Sequence, residues 1–169
     1  MKRLLLVVDY QKDFVDGALG FPGAEALDGP IAAKIAACRA AGDDVAFTLD
    51  THGPDYLDTQ EGRKLPVPHC LLNSEGWQLY GQTGQAMERS RDMVIGKGAF
   101  PSLWLANWLK EQGYDRVELA GLVSYLCVLS NAIMVKAALP EAVTAVEALE
   151  LKNMLRQEAD QMDCVLKIN

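Results

Sequence analysis

The chain has 169 residues, half of them hydrophobic, with 16 Lys and Arg against 23 Asp and Glu and a formal charge of −7. That size suits one domain, 1–169, whose core needs neither disulfide nor structural metal; the acidic balance, without any Lys/Arg block, excludes a nucleic-acid footprint and leaves small molecules or other proteins as partners. The four Cys lack paired metal-ligand spacing, the stretch Met1 to Asp9 is too short and too soon acidic for a signal peptide, and no apolar run approaches the ~20 residues that span a bilayer, so a cytoplasmic protein with reduced thiols and no membrane partner is expected.

Leu4 to Val8 is an all-apolar run, the mark of a strand buried on both faces in a parallel sheet. Asp9 then falls at the carboxyl end of that strand, where open α/β sheets collect their ligands; an Asp that merely opens a turn is the alternative. Residues 16 to 24 form a Gly- and Pro-bearing loop, and Glu25 to Ala41 recurs at helical spacing until Gly42 stops it. Val45 to Leu49 repeats the pattern of strand followed by acid and delivers Asp50-Thr51-His52 to the same edge.

The second of the two His, His69, lies in the Pro-stiffened Leu65-Pro66-Val67-Pro68-His69-Cys70. Asp50, His52 and His69 together would offer an O/N ligand set suited to a divalent ion, Zn²⁺, Mn²⁺ or Fe²⁺; two surface His and a turn Asp are the plain alternative. Residues 53 to 90 are a long connection with room for a short helix, and loops of that length in compact domains are usually functional. Met93 to Ile95 is a third strand, leading to Gly96-Lys97-Gly98, where the flanking glycines let the backbone bend closely around Lys97.

Leu103 to Gln112 reads as a helix with Trp104 and Trp108 at i and i+4, a core-facing pair. Arg116 to Ala120 is the next strand. Cys127 follows where that strand gives way to a helix running to about Ala138, a place where unpaired first-turn N–H groups would favour a thiolate. Val143 to Val146, a helix over 150–162 and a strand over 164–168 complete a βα alternation, which predicts a three-layer, doubly wound α/β fold with a mostly parallel six-stranded sheet. Asp9, Asp50, Lys97 and Cys127 all follow strands and so share one edge. An acid, a cation and a thiol meeting there would allow nucleophilic attack on a carbonyl, with backbone N–H groups of the 122–127 turn receiving the oxyanion.

Five stretches, Val7 to Phe14, Asp50-Thr51-His52, Pro66 to Cys70, Gly96 to Phe100 and Gly121 to Val128, resemble in order and in combination the isochorismatase-like cysteine hydrolases, and within them the nicotinamidase-like branch. The resemblance implies a Rossmann-like six-stranded sheet, an Asp9, Lys97, Cys127 triad and a non-proline cis peptide at Leu122-Val123. It also implies an oxyanion hole at Val123 and Cys127, and a metal held by Asp50, His52 and His69, with Asp55 or Asp58 as a fourth ligand. Substrate contacts would fall at Phe14, Phe100, Ser124 and Tyr125. The implied reaction is hydrolysis of a small primary amide, nicotinamide-like, through a thioester, in a homo-oligomer. Two departures alter the expected pocket. Ser124-Tyr125-Leu126 stands where nicotinamidases carry Thr-Asp-Tyr, and Leu65 or Pro66 replaces a Trp. Hydrolysis of another amide, carbamoyl or enol-ether substrate, or a catalytically silent binding protein, are the alternatives on the same fold. A receiver-like signalling domain is disfavoured because Asp9 is followed by Tyr10 and Lys97 by Gly98.

Overall fold

A computed structural model describes residues 1–146. In chain order they form β1 (Arg3–Val8), α1 (Lys12–Val15), a 3₁₀ turn (Ala24–Leu27) running into α2 (Asp28–Ala40), and β2 (Asp44–Asp50). After β2 come a 3₁₀ turn (Tyr56–Asp58), α3 (Gln60–Lys64), α4 (Gly81–Ala86) and β3 (Met93–Lys97). The chain continues with α5 (Leu103–Gln112), β4 (Arg116–Gly121), a π-helical turn (Ser124–Val128), α6 (Leu129–Ala138) and β5 (Val143–Val146).

The strands pair in the order β3-β2-β1-β4-β5, and every pairing is parallel. Among the described residues the sheet therefore has five strands; the expected helix over 150–162 and strand over 164–168 lie outside them. Apolar alternation in the central strand builds the two cores. Leu4, Leu6 and Val8 face Leu105 and Leu109 of α5 and Val135 of α6, whereas Leu5 and Val7 face Ile31 and Ile35 of α2 together with Phe14. Both faces are covered by helices, which is why the strands read as continuous hydrophobic runs.

Strand order reverses between β1 and β4, the position at which open α/β sheets bind their ligands, and Asp9 and Cys127 follow the carboxyl ends of these two strands. Their approach there is close. A Cβ on Gly121, whose φ is +137°, would stand 1.9 Å from the Val8 carbonyl oxygen, so only glycine ends β4 here. Asp9 has φ +47°, which turns the chain sharply out of β1 and aims the carboxylate across the sheet edge. The peptide between Leu122 and Val123 is cis, as the resemblance implied.

Two local expectations need correction. Cys127 does lie between β4 and the helix that ends at Ala138, but not in an ordinary first turn: it sits inside the π-helical turn, in which Val128 N–H reaches the Val123 carbonyl five residues back, and α6 continues from there. The Trp pair is split, because α5 turns Leu105 and Leu109 inward; Trp108 packs against the core and Tyr114, while Trp104 is 53% exposed.

Candidate active site

Three buried groups meet at the mouth between β1 and β4. Lys97, the last residue of β3, carries its Nζ under the sheet edge to within 2.5 Å of Asp9 Oδ2, and the same Nζ donates to Cys127 Sγ at 3.7 Å. Thr48 Oγ1 donates to Asp9 Oδ1 at 2.7 Å and fixes the carboxylate from the β2 side. Lys97 Nζ also donates to the Ala99 carbonyl at 3.2 Å, which curls the following loop back over the ammonium. Asp9, Lys97 and Cys127 are all buried, so these interactions are little screened by water.

Burial, and then the negative charge of Asp9, push the Cys127 thiol above its ordinary pKa, against the pull of Lys97. Burial likewise raises Asp9, opposed by the Lys97 ammonium. Burial would deprotonate Lys97, but the charges of Asp9 and Cys127 outweigh it and raise its pKa. Asp9 and Cys127 share one neighbouring cation, so the ionisation of either is coupled to that of the other. Burial therefore works against ionisation of the thiol, and the Lys97 ammonium is the neighbour that favours a thiolate.

A second cluster adjoins the first through the same lysine. Asp50, at the end of β2, accepts from Lys97 Nζ at 3.4 Å on Oδ1, while Oδ2 meets His52 Nε2 at 2.9 Å and His69 Nε2 at 3.4 Å. Ligand atoms of Asp50, His52 and His69 all lie within 4.8 Å of one another. Burial opposes the charge on Asp50, yet hydrogen bonds from both His and the Lys97 charge hold its carboxyl below the usual range. His69 Nδ1–H donates to the Val67 carbonyl at 2.8 Å, which orients the ring so that Nε2 faces Asp50. Burial disfavours a charged His69 ring, but the bonds to Asp50 and Val67 outweigh it and raise its pKa.

One carboxylate and two imidazoles with an oriented second nitrogen fit a divalent ion of borderline softness, so the residues present suit the metal that the family resemblance implied. The acid nearest His69 from the 53–90 connection is not Asp55 or Asp58 but Glu61, in α3, with Oε1 3.9 Å from His69 Nε2. α3 brings it there because Thr59 caps that short helix, accepting from Gly62 N–H at 3.0 Å.

The four expected substrate positions separate. Phe14 is buried with its ring centroid 5.5 Å from that of His69. Ser124 is buried in the π-helical turn, whereas Tyr125 and Phe100 lie at the surface, 53% and 38% exposed. Other residues with parts in the site were not singled out by sequence reasoning. Tyr56 sits against both imidazoles, 4.7 Å from the His52 ring and 5.0 Å from the His69 ring. Asn131, wholly buried, donates from Nδ2 to the Cys127 carbonyl at 2.8 Å and the Phe100 carbonyl at 3.0 Å, and accepts from Ser102 N–H at 3.1 Å. Its position four residues after Cys127 on a helical pattern was the available signal.

Residues 3–138 match the isochorismatase domain family. The nicotinamidase/pyrazinamidase of Mycobacterium tuberculosis is 27% identical over an alignment of 146 positions that covers 77% of this chain and 76% of that protein. Among solved structures, the nicotinamidase/pyrazinamidase of Bacillus subtilis superposes with a TM-score of 0.75 at 27% identity, covering 86% of this chain and 84% of its own. The pyrazinamidase of Pyrococcus horikoshii, solved in complex with zinc, shares the fold with a TM-score of 0.71 at 23% identity, covering 95% and 96%.

Proposed function

The chain belongs to the isochorismatase family, and we propose that it hydrolyses a small, nicotinamide-like primary amide to the acid and ammonia. It is a nicotinamidase-like hydrolase acting on carbon–nitrogen bonds. The observation that carries the finer reading is the buried Lys97 ammonium, 2.5 Å from Asp9 and 3.7 Å from the Cys127 sulfur.

Cys127 Sγ attacks the amide carbon as its proton passes to Asp9, whose raised pKa makes it a competent acceptor. Lys97 holds one balancing charge throughout, so the negative charge moves from carboxylate to sulfur without leaving the ammonium's reach. Backbone N–H groups of Val123 and Cys127 receive the developing oxyanion. Collapse of the tetrahedral species breaks the C–N bond, and Asp9 returns the proton to the leaving nitrogen as ammonia. Water, deprotonated by Asp9, then cleaves the Cys127 thioester and the thiol is restored.

Asp50, His52 and His69 would hold a divalent ion, Zn²⁺ by their chemistry, with Glu61 the nearest further carboxylate. Bound there, the ion supplies Lewis acidity that fixes a substrate ring nitrogen or an ordered water. Phe14, packed on His69, offers the stacking surface for the ring. No helix among the described residues is long and apolar enough to cross a membrane.

Replacement of Cys127 by Ala tests the scheme. Ammonia release from a panel of aromatic primary amides should fall to background while Zn²⁺ binding persists, and mass spectrometry of the native enzyme under turnover should find an acyl adduct on the peptide containing Cys127. Sustained ammonia release by the Cys127→Ala protein would refute it. An enzyme that is inert to every amide, with Cys127 unreactive towards iodoacetamide, would favour a silent binding protein.

A further inference from the structure

The segment that follows β1 contains two polar side chains, Gln11 buried and Asp13 half-buried, to which the proposed reaction gives no part. Gln11 is fully buried, and its carboxamide makes three hydrogen bonds. Oε1 accepts from the Asp50 N–H at 2.7 Å, and Nε2 donates to the Asp50 carbonyl at 2.9 Å and to the Trp77 carbonyl at 2.8 Å. The geometry follows from the turn at Asp9. β1 pairs with β2 only as far as Val8 and Thr48, with Asp9 N–H reaching the Thr48 carbonyl at 3.2 Å. There the chain leaves the sheet, and Asp50, two residues on in β2, would face the β1 side with a buried N–H and carbonyl unpaired. The Gln11 side chain, itself an amide with one acceptor and two donors, takes the place of the missing peptide group.

Asp13 makes the corresponding link to the other ligand loop. Its Oδ2 accepts from Cys70 N–H at 2.7 Å, the residue after His69, and its Oδ1 accepts from Ala18 N–H at 3.2 Å. The backbone closes the same junction: Asp13 N–H donates to the Gly76 carbonyl at 3.0 Å, and a Cβ on Gly76 would come within 2.1 Å of Asp13 Oδ2. Cys70 has φ +46°, so the chain beside His69 is held in a conformation that a specific partner must maintain.

We infer that Gln11 and Asp13 are positioning residues for the divalent-ion site, holding the backbones of Asp50 and of the His69 loop in place before the ion arrives. The inference rests on the proposed metal-binding role of Asp50, His52 and His69. It makes the short segment from Asp9 to Phe14 common ground for the whole site: it supplies the proton acceptor, clamps one ligand strand, clamps the second ligand loop and ends on the aromatic ring against His69. Partners that orient metal ligands typically change affinity about 10- to 100-fold when removed, through misplacement of the ligands rather than loss of a donor.

The test compares Zn²⁺ affinity, measured by competition with a chelator of known affinity, in the native protein and in Gln11→Ala, Asp13→Asn and Thr83→Ala. Asp13→Asn keeps the shape but leaves one of the two N–H groups facing an NH₂. Thr83 is equally buried and bonded to the Asp28 carbonyl away from the site, so its variant reports general loosening. All proteins are assayed below the onset of their thermal unfolding by circular dichroism. Gln11→Ala and Asp13→Asn should each bind Zn²⁺ about 10- to 100-fold more weakly, with Thr83→Ala within twofold of native. Native affinity in both site variants, or equal weakening in Thr83→Ala, would overturn the inference alone. A native protein that takes up no Zn²⁺, Mn²⁺ or Fe²⁺ would overturn the metal site and the inference together.

Discussion

Replacing Asp9 with Asn should make Cys127 more reactive while abolishing turnover. Asn is the conservative choice, because it tolerates the φ of +47° at this position and can still accept from Thr48 Oγ1. In the native protein burial and the Asp9 charge raise the pKa of the thiol. The opposing attraction comes from Lys97 Nζ at 3.7 Å, which at an effective dielectric of about 20 amounts to about 4.5 kcal/mol, or roughly a thousandfold in the thiolate-to-thiol ratio. With Asp9 neutral, that attraction loses its nearest competitor. Asp50, 3.4 Å from the same ammonium, offsets part of it, so the expected gain in thiolate at neutral pH is at least about tenfold.

The assay is the pH dependence of alkylation by iodoacetamide, with Cys127→Ala as the blank for the other cysteines. Native protein should react slowly near neutrality and faster as the pH rises; Asp9→Asn should reach its plateau at lower pH. Ammonia release should nevertheless vanish, because nothing remains to carry the proton to the leaving nitrogen. An Asp9→Asn protein alkylated no faster than native would refute the argument that carboxylate and sulfur compete for one proton beside one cation.

Two further outcomes follow from packing. Gly121→Ala should cost about 3 kcal/mol or more, since its Cβ would strike the Val8 carbonyl and its φ disfavours any L side chain; a urea midpoint close to native would contradict the described approach of β1 and β4. Asn131→Ala should lose about 1–3 kcal/mol for each backbone group left without its partner, and should raise KM more than it lowers kcat because it frees the Phe100 loop from the Cys127 turn; unchanged KM would show that this tie does not shape the pocket.

Much of this molecule was legible before any coordinates. The strands of a doubly covered parallel sheet are uninterrupted apolar runs, so Leu4 to Val8 and Val45 to Leu49 announced themselves and carried Asp9 and Asp50 to the common edge. The ends of α5 were readable because Ser102 caps it by accepting from Leu105 N–H and Gly113 closes it at φ +66°. What could not be read depends on contacts between distant segments. A π-helical turn has no distinct sequence period, so the setting of Cys127 was taken for an ordinary helix start. The raised pKa of its sulfur follows from burial and from Asp9, which a strand pattern does not report. Glu61 is not the acid that sequence proximity to His52 favours, because the orientation of α3 is set by a cap that places it towards His69. Gln11 and Asp13 stood in a recognised motif, yet a side chain that completes another strand's hydrogen bonding is visible only once both strands are in place.

Lys97 is the sole ammonium described between the two halves of this site, touching Asp9 and Asp50 at once. An engineer who neutralised Asp50 to change metal preference would also hand the lysine's full attention to Asp9 and the sulfur, retuning the nucleophile without having touched it. Ion selectivity and thiol reactivity in this scaffold are therefore a coupled pair of design variables, and a library that varies either set of residues should be screened for both.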